Sequence, residues 1–346
     1  MQSTRLDNYR KVASGKRLPG FVRSARHGVS RPNLAELDYE QLWTLHDSDD
    51  KSKGERGNPS RLDLKIELAN RILAKCVLCE RRCGVDRLHD EMGFCGVGRD
   101  SNYFFDDILW GEEPPLVPSH EVFFSGCNMR CSYCYSWESV LDTKYGRPFI
   151  PDEFAGIIDS RRSDGATNLN LIGGEPSVHL PSILQALKHT QRRTAVVWNS
   201  NFLMSDETMR LLSGIVDLYV GDFRFGNEDC ARRLADTHGY FAAAARNFLA
   251  AAESGDLIIR HLVIPGHIEC CLIPIAQWVA DHLPWVPFSI MFQYTPFHRA
   301  LEDPSLSRTL SPQEELQARE VVSSYKLNTK SWNRPLAHKP ENITEH

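Results

Sequence analysis

Short apolar runs alternate with longer amphipathic segments between residues 120 and 294. The apolar runs have the length and composition of buried strands and occupy residues 120–126, 167–173, 194–200, 215–222, 257–264 and 288–294. Segments of helical length lie between them, near residues 151–161, 180–192, 206–213, 227–253 and 270–283. Strands that alternate with helices in this way predict a parallel sheet with right-handed crossover connections.

The predicted fold class is therefore α/β. We expect a partial (β/α)6 TIM-like barrel with a small N-terminal cysteine-rich segment, and a doubly wound sheet satisfies the same alternation. Both architectures bind ligands at the carboxyl ends of their strands, so the chemistry of this chain is expected at that edge.

The rest of the chain is more polar. Residues 1–61 are expected to form a polar N-terminal extension without a core, and "HDSDDKSKGERGNPSR" within it is typical of a solvated loop or linker. Residues 62–118 combine a helix over 62–75 with a cysteine-rich segment and the proline-rich stretch "GEEPPLVPSH". The barrel is expected over 119–325, with a last helix over 312–324, and residues 326–346 are expected to form a mobile tail.

Composition narrows the classes of partner. The 346 residues include 45 acidic and 40 basic side chains, so the net charge of −5 does not favour binding to nucleic acid. No apolar run reaches the roughly 18 residues of a membrane span, and the N-terminus lacks a signal-peptide core. We therefore expect a cytoplasmic protein without membrane contact, in which cysteines stay reduced and clustered thiols bind metal more often than they form disulfides.

Seven of the ten cysteines fall between residues 76 and 134, in two groups. In the second group, Cys127, Cys131 and Cys134 have the spacing C-x3-C-x2-C directly after the first predicted strand. Three thiolates leave one metal position open for a substrate or cofactor, as catalytic metal sites do. The alternative is a structural zinc site that a distant histidine completes.

The stretch "FFSGCNMRCSYCYSWE", with Tyr133 before its last cysteine, resembles the signature loop of the radical S-adenosylmethionine (radical SAM) enzymes. The resemblance implies a [4Fe-4S] cluster whose fourth iron is chelated by S-adenosylmethionine. The resemblance further implies that one-electron reduction cleaves a sulfur–carbon bond of S-adenosylmethionine and yields a 5′-deoxyadenosyl radical. The protein positions and shields this chemistry of the cofactor.

The resemblance also assigns contacts to S-adenosylmethionine at the ends of later strands. The motif "GGEP" would bind the methionyl amino group, "VVWNSN" the ribose, and the polar residues of "GDFR" and "IIRHL" the rest of the cofactor, including its carboxylate. The implied cofactor-binding residues are Tyr133, Gly173, Gly174, Glu175, Asn199, Asn201, Asp222, Arg224 and Arg260.

The upstream cysteine group consists of Cys76, Cys79, Cys83 and Cys95, spaced C-x2-C-x3-C-x11-C. Four thiolates make a closed set that suits either structural zinc or a second iron–sulfur cluster, and the sequence leaves both open. A cysteine motif ahead of the radical loop resembles a branch of proteins related to pyruvate formate-lyase activating enzyme.

The remaining cysteines and histidines carry weaker signals. Cys270 and Cys271 stand at a predicted helix start and are expected to be buried thiols. His261 and His267 are expected to complete local hydrogen bonds rather than to catalyse a reaction.

The resemblance leaves three functions open. The first is a radical enzyme that takes a hydrogen atom from a partner protein, as activases of glycyl-radical enzymes do, with flavodoxin or ferredoxin as electron donor. The second is a radical enzyme that modifies a small molecule or peptide. The third is a non-catalytic iron–sulfur or zinc protein, which the ordered strand-end motifs disfavour.

Overall fold

The computed structural model describes residues 6–31, 33–48 and 58–329. One sheet of eight strands has the order β3-β1-β2-β4-β5-β6-β7-β8. The strands are β1 (Asn102–Leu109), β2 (Ser119–Phe124), β3 (Arg147–Pro148), β4 (Asn168–Gly173), β5 (Ala195–Ser200), β6 (Leu218–Asp222), β7 (Asp256–Leu262) and β8 (Phe288–Met291). The α-helices are α1 (Asp7–Ala13), α2 (Gly20–Arg26), α3 (Tyr39–Ser48), α4 (Arg61–Ile72), α5 (Trp137–Leu141), α6 (Pro151–Ser163), α7 (Leu180–His189), α8 (Asp206–Leu212), α9 (Glu228–Ala235), α10 (Tyr240–Ser254), α11 (Ile273–His282) and α12 (Pro312–Ser324).

Six strands, β2 and β4 to β8, are parallel and pair in chain order, which confirms the predicted α/β class and the partial barrel. Strands β1 and β3 extend the sheet in antiparallel fashion beside β2. The sequence did not indicate β1, because its half-buried residues include Asp106 and Asp107 and never form an apolar run.

Two predicted helices are interrupted. The segment predicted as one helix over 227–253 divides into α9 and α10, since Asp236 and Gly239 take the left-handed backbone conformation at φ 49° and 66°. The helix predicted over 270–283 begins with a π-helical turn, Ile268–Leu272, before α11.

The expectation that residues 1–61 contain no core is wrong for the residues that the structure describes. Leu6, Tyr9 and Val12 at and along α1 are buried against side chains of β5, β6 and β7. The Tyr9 backbone N–H donates to Asp256 at 2.8 Å, so α1 is fixed at the amino end of β7. Seven residues with charged neighbours carry too few apolar positions for periodicity to reveal this helix.

Part of the predicted linker (49–57) and most of the predicted tail (330–346) lie outside the described residues. Within the described part of the chain, no helix has both the length and the apolar character needed to cross a membrane.

Candidate functional site

A cavity of about 300 Å³ opens at the carboxyl ends of the parallel strands. Its lining includes apolar side chains from the ends of β2, β4 and β7 and all three cysteines of the C-x3-C-x2-C loop. The residues of the predicted site that line it are Cys127, Cys131, Tyr133, Cys134, Gly173, Gly174, Asn201 and Arg224.

The cysteine loop is held by the end of α9. The backbone N–H groups of Arg130 and Ser132 donate to the carbonyls of Ala235 and Leu234, at 2.9 and 2.7 Å. These carbonyls belong to the last turn of α9, where they lack partners within the helix. The loop therefore has a fixed backbone before any ligand binds.

The donor set suits an iron–sulfur cluster. Burial raises the pKa of the Cys127 and Cys131 thiols, and it raises the pKa of Cys134 to about 11. A metal centre would supply the positive charge that makes three buried thiolates favourable, since the ligating form of cysteine is the thiolate.

Gly173 and Gly174 bring backbone against backbone at the edge of the cavity. Gly173 has φ 104°, and a Cβ atom on it would lie 2.2 Å from the Phe124 nitrogen. A Cβ atom on Gly174 would lie 2.0 Å from the Gly126 carbonyl oxygen, next to Cys127. Only glycine fits these positions without moving β2 away from β4.

Glu175 is fully buried and turns away from the cavity lining. One carboxylate oxygen accepts from the Ser200 hydroxyl at 2.8 Å and the Ser177 N–H at 3.1 Å, and the other accepts from the Asn201 N–H at 3.0 Å. The carboxylate thus fixes the turn after β5. Within that turn, the Asn201 amide donates to Asn128 at 2.7 Å and lies 3.8 Å from the Cys127 sulfur.

Asp222 and Arg224 form an ion pair at the end of β6, with 2.5 Å between carboxylate and guanidinium. Tyr240 supports both, because its hydroxyl donates to the Asp222 carbonyl and accepts from the Arg224 N–H. Tyr133 is nearly buried, and its ring centroid lies 5.9 Å from that of Tyr294. Of these residues, Arg224 and Tyr133 line the cavity, and Asp222 holds Arg224 from outside its lining.

Arg260 and Asn199 lie outside the residues that line this cavity. The Arg260 guanidinium donates to Glu113 at 2.9 Å and is also paired with Glu112. The Asn199 amide donates to Glu112 at 3.4 Å. The two glutamates come from "GEEPPLVPSH", a stretch that shows no periodicity. An arginine in an apolar strand signals that a buried carboxylate partner exists, but not where it lies in the sequence.

The upstream cysteine group packs directly on the cysteine loop. Arg81 donates to the Asn128 carbonyl at 2.6 Å and stacks on Phe94, and Arg130 covers the same ring. The Cys95 carbonyl oxygen lies 3.0 Å from the position of a Cβ atom on Gly126. Cys76, Cys79 and Cys95 are buried, and Cys83 is exposed.

A third set of ligand atoms was not anticipated. Within the described residues, one set of histidine and cysteine side chains places all its ligand atoms within 4.8 Å of one another. Neither predicted cysteine group forms a set of this kind there. We call this set the Cys/His group; its members are Cys230, His267, Cys270 and Cys271. No short motif joins them, because 37 residues separate Cys230 from His267.

The family model described as the Radical SAM superfamily matches residues 122–279. The chain is 38% identical to the uncharacterized protein MJ0674 of Methanocaldococcus jannaschii over 308 residues, which cover 84% of this chain and 90% of the relative. It is also 33% identical to the 7-carboxy-7-deazaguanine synthase of Methanothermobacter thermautotrophicus over 88 residues, which cover 25% of this chain and 35% of that enzyme.

Among solved structures, the chain is similar to SuiB of Streptococcus suis. With SuiB bound to the precursor peptide SuiA, the TM-score is 0.45 and the identity 13%, over 58% of this chain and 45% of that chain. With SuiB alone, the TM-score is 0.43 over 59% of this chain and 44% of that chain. The chain therefore matches less than half of SuiB.

Proposed function

Because the chain belongs to the radical SAM superfamily, we propose that it cleaves S-adenosylmethionine reductively and abstracts a hydrogen atom from a protein or peptide substrate. Membership in the superfamily implies a [4Fe-4S] cluster and S-adenosylmethionine as cofactors. The observation that carries the proposal is the convergence of Cys127, Cys131 and Cys134 with two strand-end glycines around one cavity. When bound and reduced, the cofactors supply a 5′-deoxyadenosyl radical.

The residues of this chain prepare the cavity for those cofactors. Cys127, Cys131 and Cys134 would ligate three irons and leave the fourth open. Gly173 and Gly174 allow a ligand to approach the backbone, and Arg224 would pair with the cofactor carboxylate as a charge already oriented by Asp222. Glu175 would act on the cofactor through Ser200 and Asn201, which it holds in place.

We further propose that the upstream cysteine group holds a second iron–sulfur cluster that relays electrons. Four thiolates satisfy a cubane cluster as well as they satisfy zinc. This group also packs directly on the loop that carries Cys127, Cys131 and Cys134, where a relay would deliver electrons. The exposed Cys83 offers an entry point for an electron donor such as flavodoxin or ferredoxin.

The mouth of the cavity favours a polypeptide substrate over a small metabolite. Tyr135 is 75% exposed and packs edge-on against Phe297, and Trp137 stacks on His298. An exposed aromatic side chain beside partly buried ones at an apolar opening is typical of surfaces that bind other proteins. A glycyl-radical-type protein, as in the branch related to pyruvate formate-lyase activating enzyme, is the partner that we propose.

The proposed reaction is tested by anaerobic reconstitution with iron and sulfide, followed by S-adenosylmethionine and dithionite. We expect 5′-deoxyadenosine, and we expect the triple change of Cys127, Cys131 and Cys134 to alanine to remove about four irons and all cleavage. Fully loaded protein that forms no 5′-deoxyadenosine would exclude the radical mechanism and leave the non-catalytic alternative.

The second cluster has a separate test. The double change of Cys76 and Cys79 to alanine is expected to lower iron and not zinc, while iron at the C-x3-C-x2-C loop remains. Loss of zinc from that variant would instead make the upstream group a structural zinc site.

The polypeptide substrate is tested with Tyr135→Ala. We expect this variant to cleave S-adenosylmethionine in the absence of substrate as fast as the wild type does. A protein fraction from the source cells should increase the cleavage rate of the wild type but not that of the variant. If a metabolite fraction instead stimulates cleavage equally in the wild type and in Tyr135→Ala, the small-molecule alternative is correct.

All ten cysteines are free thiols, and we propose that the protein acts in the reducing cytoplasm.

A further inference from the structure

We propose that the Cys/His group binds one zinc ion, at a site separate from both predicted cysteine groups. Its four ligand atoms all lie within 4.8 Å of one another. The His267 Nδ1 atom lies 3.4, 3.2 and 3.9 Å from the sulfurs of Cys230, Cys270 and Cys271. The Cys270 sulfur lies 3.6 Å from that of Cys230 and 4.0 Å from that of Cys271.

These distances are those of a tetrahedron around a single metal ion. Zinc with bonds of about 2.3 Å to sulfur and about 2.0 Å to nitrogen separates two sulfurs by about 3.8 Å and sulfur from nitrogen by about 3.5 Å. The sixth pair, Cys230 and Cys271, also lies within 4.8 Å. Three cysteines and one histidine form one of the usual closed ligand sets of structural zinc, and soft thiolates favour zinc over magnesium or calcium.

The local backbone is built to bring these ligands together. The π-helical turn Ile268–Leu272 starts after His267, and the Leu272 N–H donates to the His267 carbonyl five residues earlier. Such turns are rare and occur frequently at functional sites. Here the turn directs Cys270 and Cys271 toward the same histidine. A regular α-helix would rotate two consecutive side chains further apart.

The start of α9 meets this turn closely. The Asn227 side chain caps α9, and its amide donates to the Cys270 carbonyl at 2.6 Å and to the Cys230 sulfur at 3.3 Å. A Cβ atom on Gly226 would lie 2.5 Å from the Cys271 carbonyl oxygen. An amide donor to a ligating sulfur is a common support of metal thiolates.

The surroundings of the histidine define a control. The Arg233 guanidinium lies 3.1 Å from His267 Nε2, and arginine is only a donor. A metal ion on Nδ1 leaves the proton of His267 on Nε2, so the Arg233 guanidinium must turn away from Nε2. The Asp303 carboxylate, which lies 3.7 Å from the Arg233 guanidinium, is then available as its partner. Removing the Arg233 side chain is therefore expected to leave metal binding intact.

The site would serve the cysteine loop through α9. Cys230 lies in the first turn of this helix, and the carbonyls of Leu234 and Ala235 in its last turn accept from the loop that carries Cys127, Cys131 and Cys134. A zinc ion that joins Cys230 to the turn after β7 would fix the start of α9, while the end of α9 holds the cysteine loop.

The test is metal analysis of protein purified without oxygen and without added metal. We expect about one zinc per chain besides iron, and cobalt that replaces zinc should show sulfur-to-metal charge transfer and the intense visible bands of tetrahedral Co(II). Cys230→Ser, His267→Ala and Cys270→Ser should lose the zinc and the cobalt bands, whereas Arg233→Ala should keep them. The triple alanine variant of Cys127, Cys131 and Cys134 should lose iron and keep zinc.

Three results would overturn the proposal. One is wild-type protein, stripped of zinc under reducing conditions, that takes up no cobalt with a tetrahedral thiolate spectrum. Another is the loss of iron, with zinc unchanged, from Cys270→Ser. The last is a mass two hydrogens lower in freshly isolated protein, with a disulfide between two of these cysteines. The wild-type cobalt experiment remains decisive if a variant fails to fold.

Discussion

The Arg130 backbone N–H donates to the carbonyl of Ala235 at 2.9 Å, across more than one hundred residues of sequence. This bond makes the end of α9 a part of the cysteine loop. The same loop is held on its other side by Arg81, which donates to the Asn128 carbonyl. The position of the candidate cluster thus depends on two segments that contribute none of its three ligands.

Gly174→Ala is expected to disrupt the site, because the added Cβ atom would lie 2.0 Å from the Gly126 carbonyl oxygen. Backbone at that distance must move, which costs about 1–3 kcal/mol and displaces Cys127. We expect lower iron per chain and loss of 5′-deoxyadenosine formation. The matched control is Gly156→Ala in α6, where the added Cβ atom meets nothing within 4 Å and alanine should stabilise the helix by about 0.5–1 kcal/mol. Equal iron in the two variants would contradict this account.

Arg224→Ala is expected to weaken the binding of S-adenosylmethionine while iron per chain stays unchanged. A hydrogen bond to a charged group contributes about 1.5–3 kcal/mol, so half-maximal cleavage should require at least about tenfold more cofactor. Arg224→Lys keeps the charge but not the fork of N–H donors, so its half-maximal cofactor concentration should lie between those of the wild type and Arg224→Ala. The measurement is 5′-deoxyadenosine formed over a range of cofactor concentrations.

The control for that series is Arg232→Ala, since Arg232 is mostly exposed and pairs with Asp229 on the outer face of α9. We expect it to behave as the wild type. If Arg224→Ala and Arg232→Ala bind the cofactor equally, Arg224 only stabilises the fold through Asp222.

Arg81→Ala is expected to separate the upstream segment from the cysteine loop. The variant loses the bond to the Asn128 carbonyl and the stacking on Phe94, and we expect the free energy of unfolding to fall by about 2–4 kcal/mol. The neighbouring Arg82 makes a surface ion pair with Glu207, so Arg82→Ala should cost less than about 1 kcal/mol. Denaturant unfolding of both variants measures the difference, and similar losses would show that the contact with the loop has no special importance.

The order of the parallel strands and the place of the cysteine loop were predictable from the sequence. Apolar runs such as 194–200 are long and fully buried, and C-x3-C-x2-C is a local pattern that survives without knowledge of the fold. The resemblance to the radical SAM enzymes also assigned Gly173, Gly174, Asn201 and Arg224 to the cofactor, and the structure brings these four residues to the cavity.

The contacts that depend on distant segments were not predictable. Glu112 pairs with Arg260 across 148 residues, from a stretch with no periodicity. Cys230 meets His267 only because α9 and the π-helical turn pack together. Tyr9 is buried because α1 covers the amino end of the barrel, and a short polar helix has no pattern that indicates burial. Each of these contacts is set by packing rather than by local spacing.

Glu121 is expected to make the stability of the protein depend on pH. It lies on β2, nearly buried, with its Oε1 atom lacking a hydrogen-bond partner among the described residues. Burial, together with the nearby Glu113 carboxylate, raises the pKa of Glu121 from 4.5 to about 7. The folded state therefore keeps a proton that the unfolded state releases between these two values. The contribution of Glu121 to stability should fall as the pH rises through this range, by about 3 kcal/mol, and then level off.

Glu121→Gln removes the ionisable group and keeps the shape of the side chain. We expect the variant to match the wild type at about pH 4.5 and to be more stable by as much as about 3 kcal/mol above pH 7, because the buried amide is never charged. Glu320→Gln, on the exposed face of α12, should follow the wild-type curve. The measurement is the denaturant midpoint across this pH range. If the wild type and Glu121→Gln change in parallel, the carboxyl of Glu121 is not the group whose ionisation is suppressed by folding.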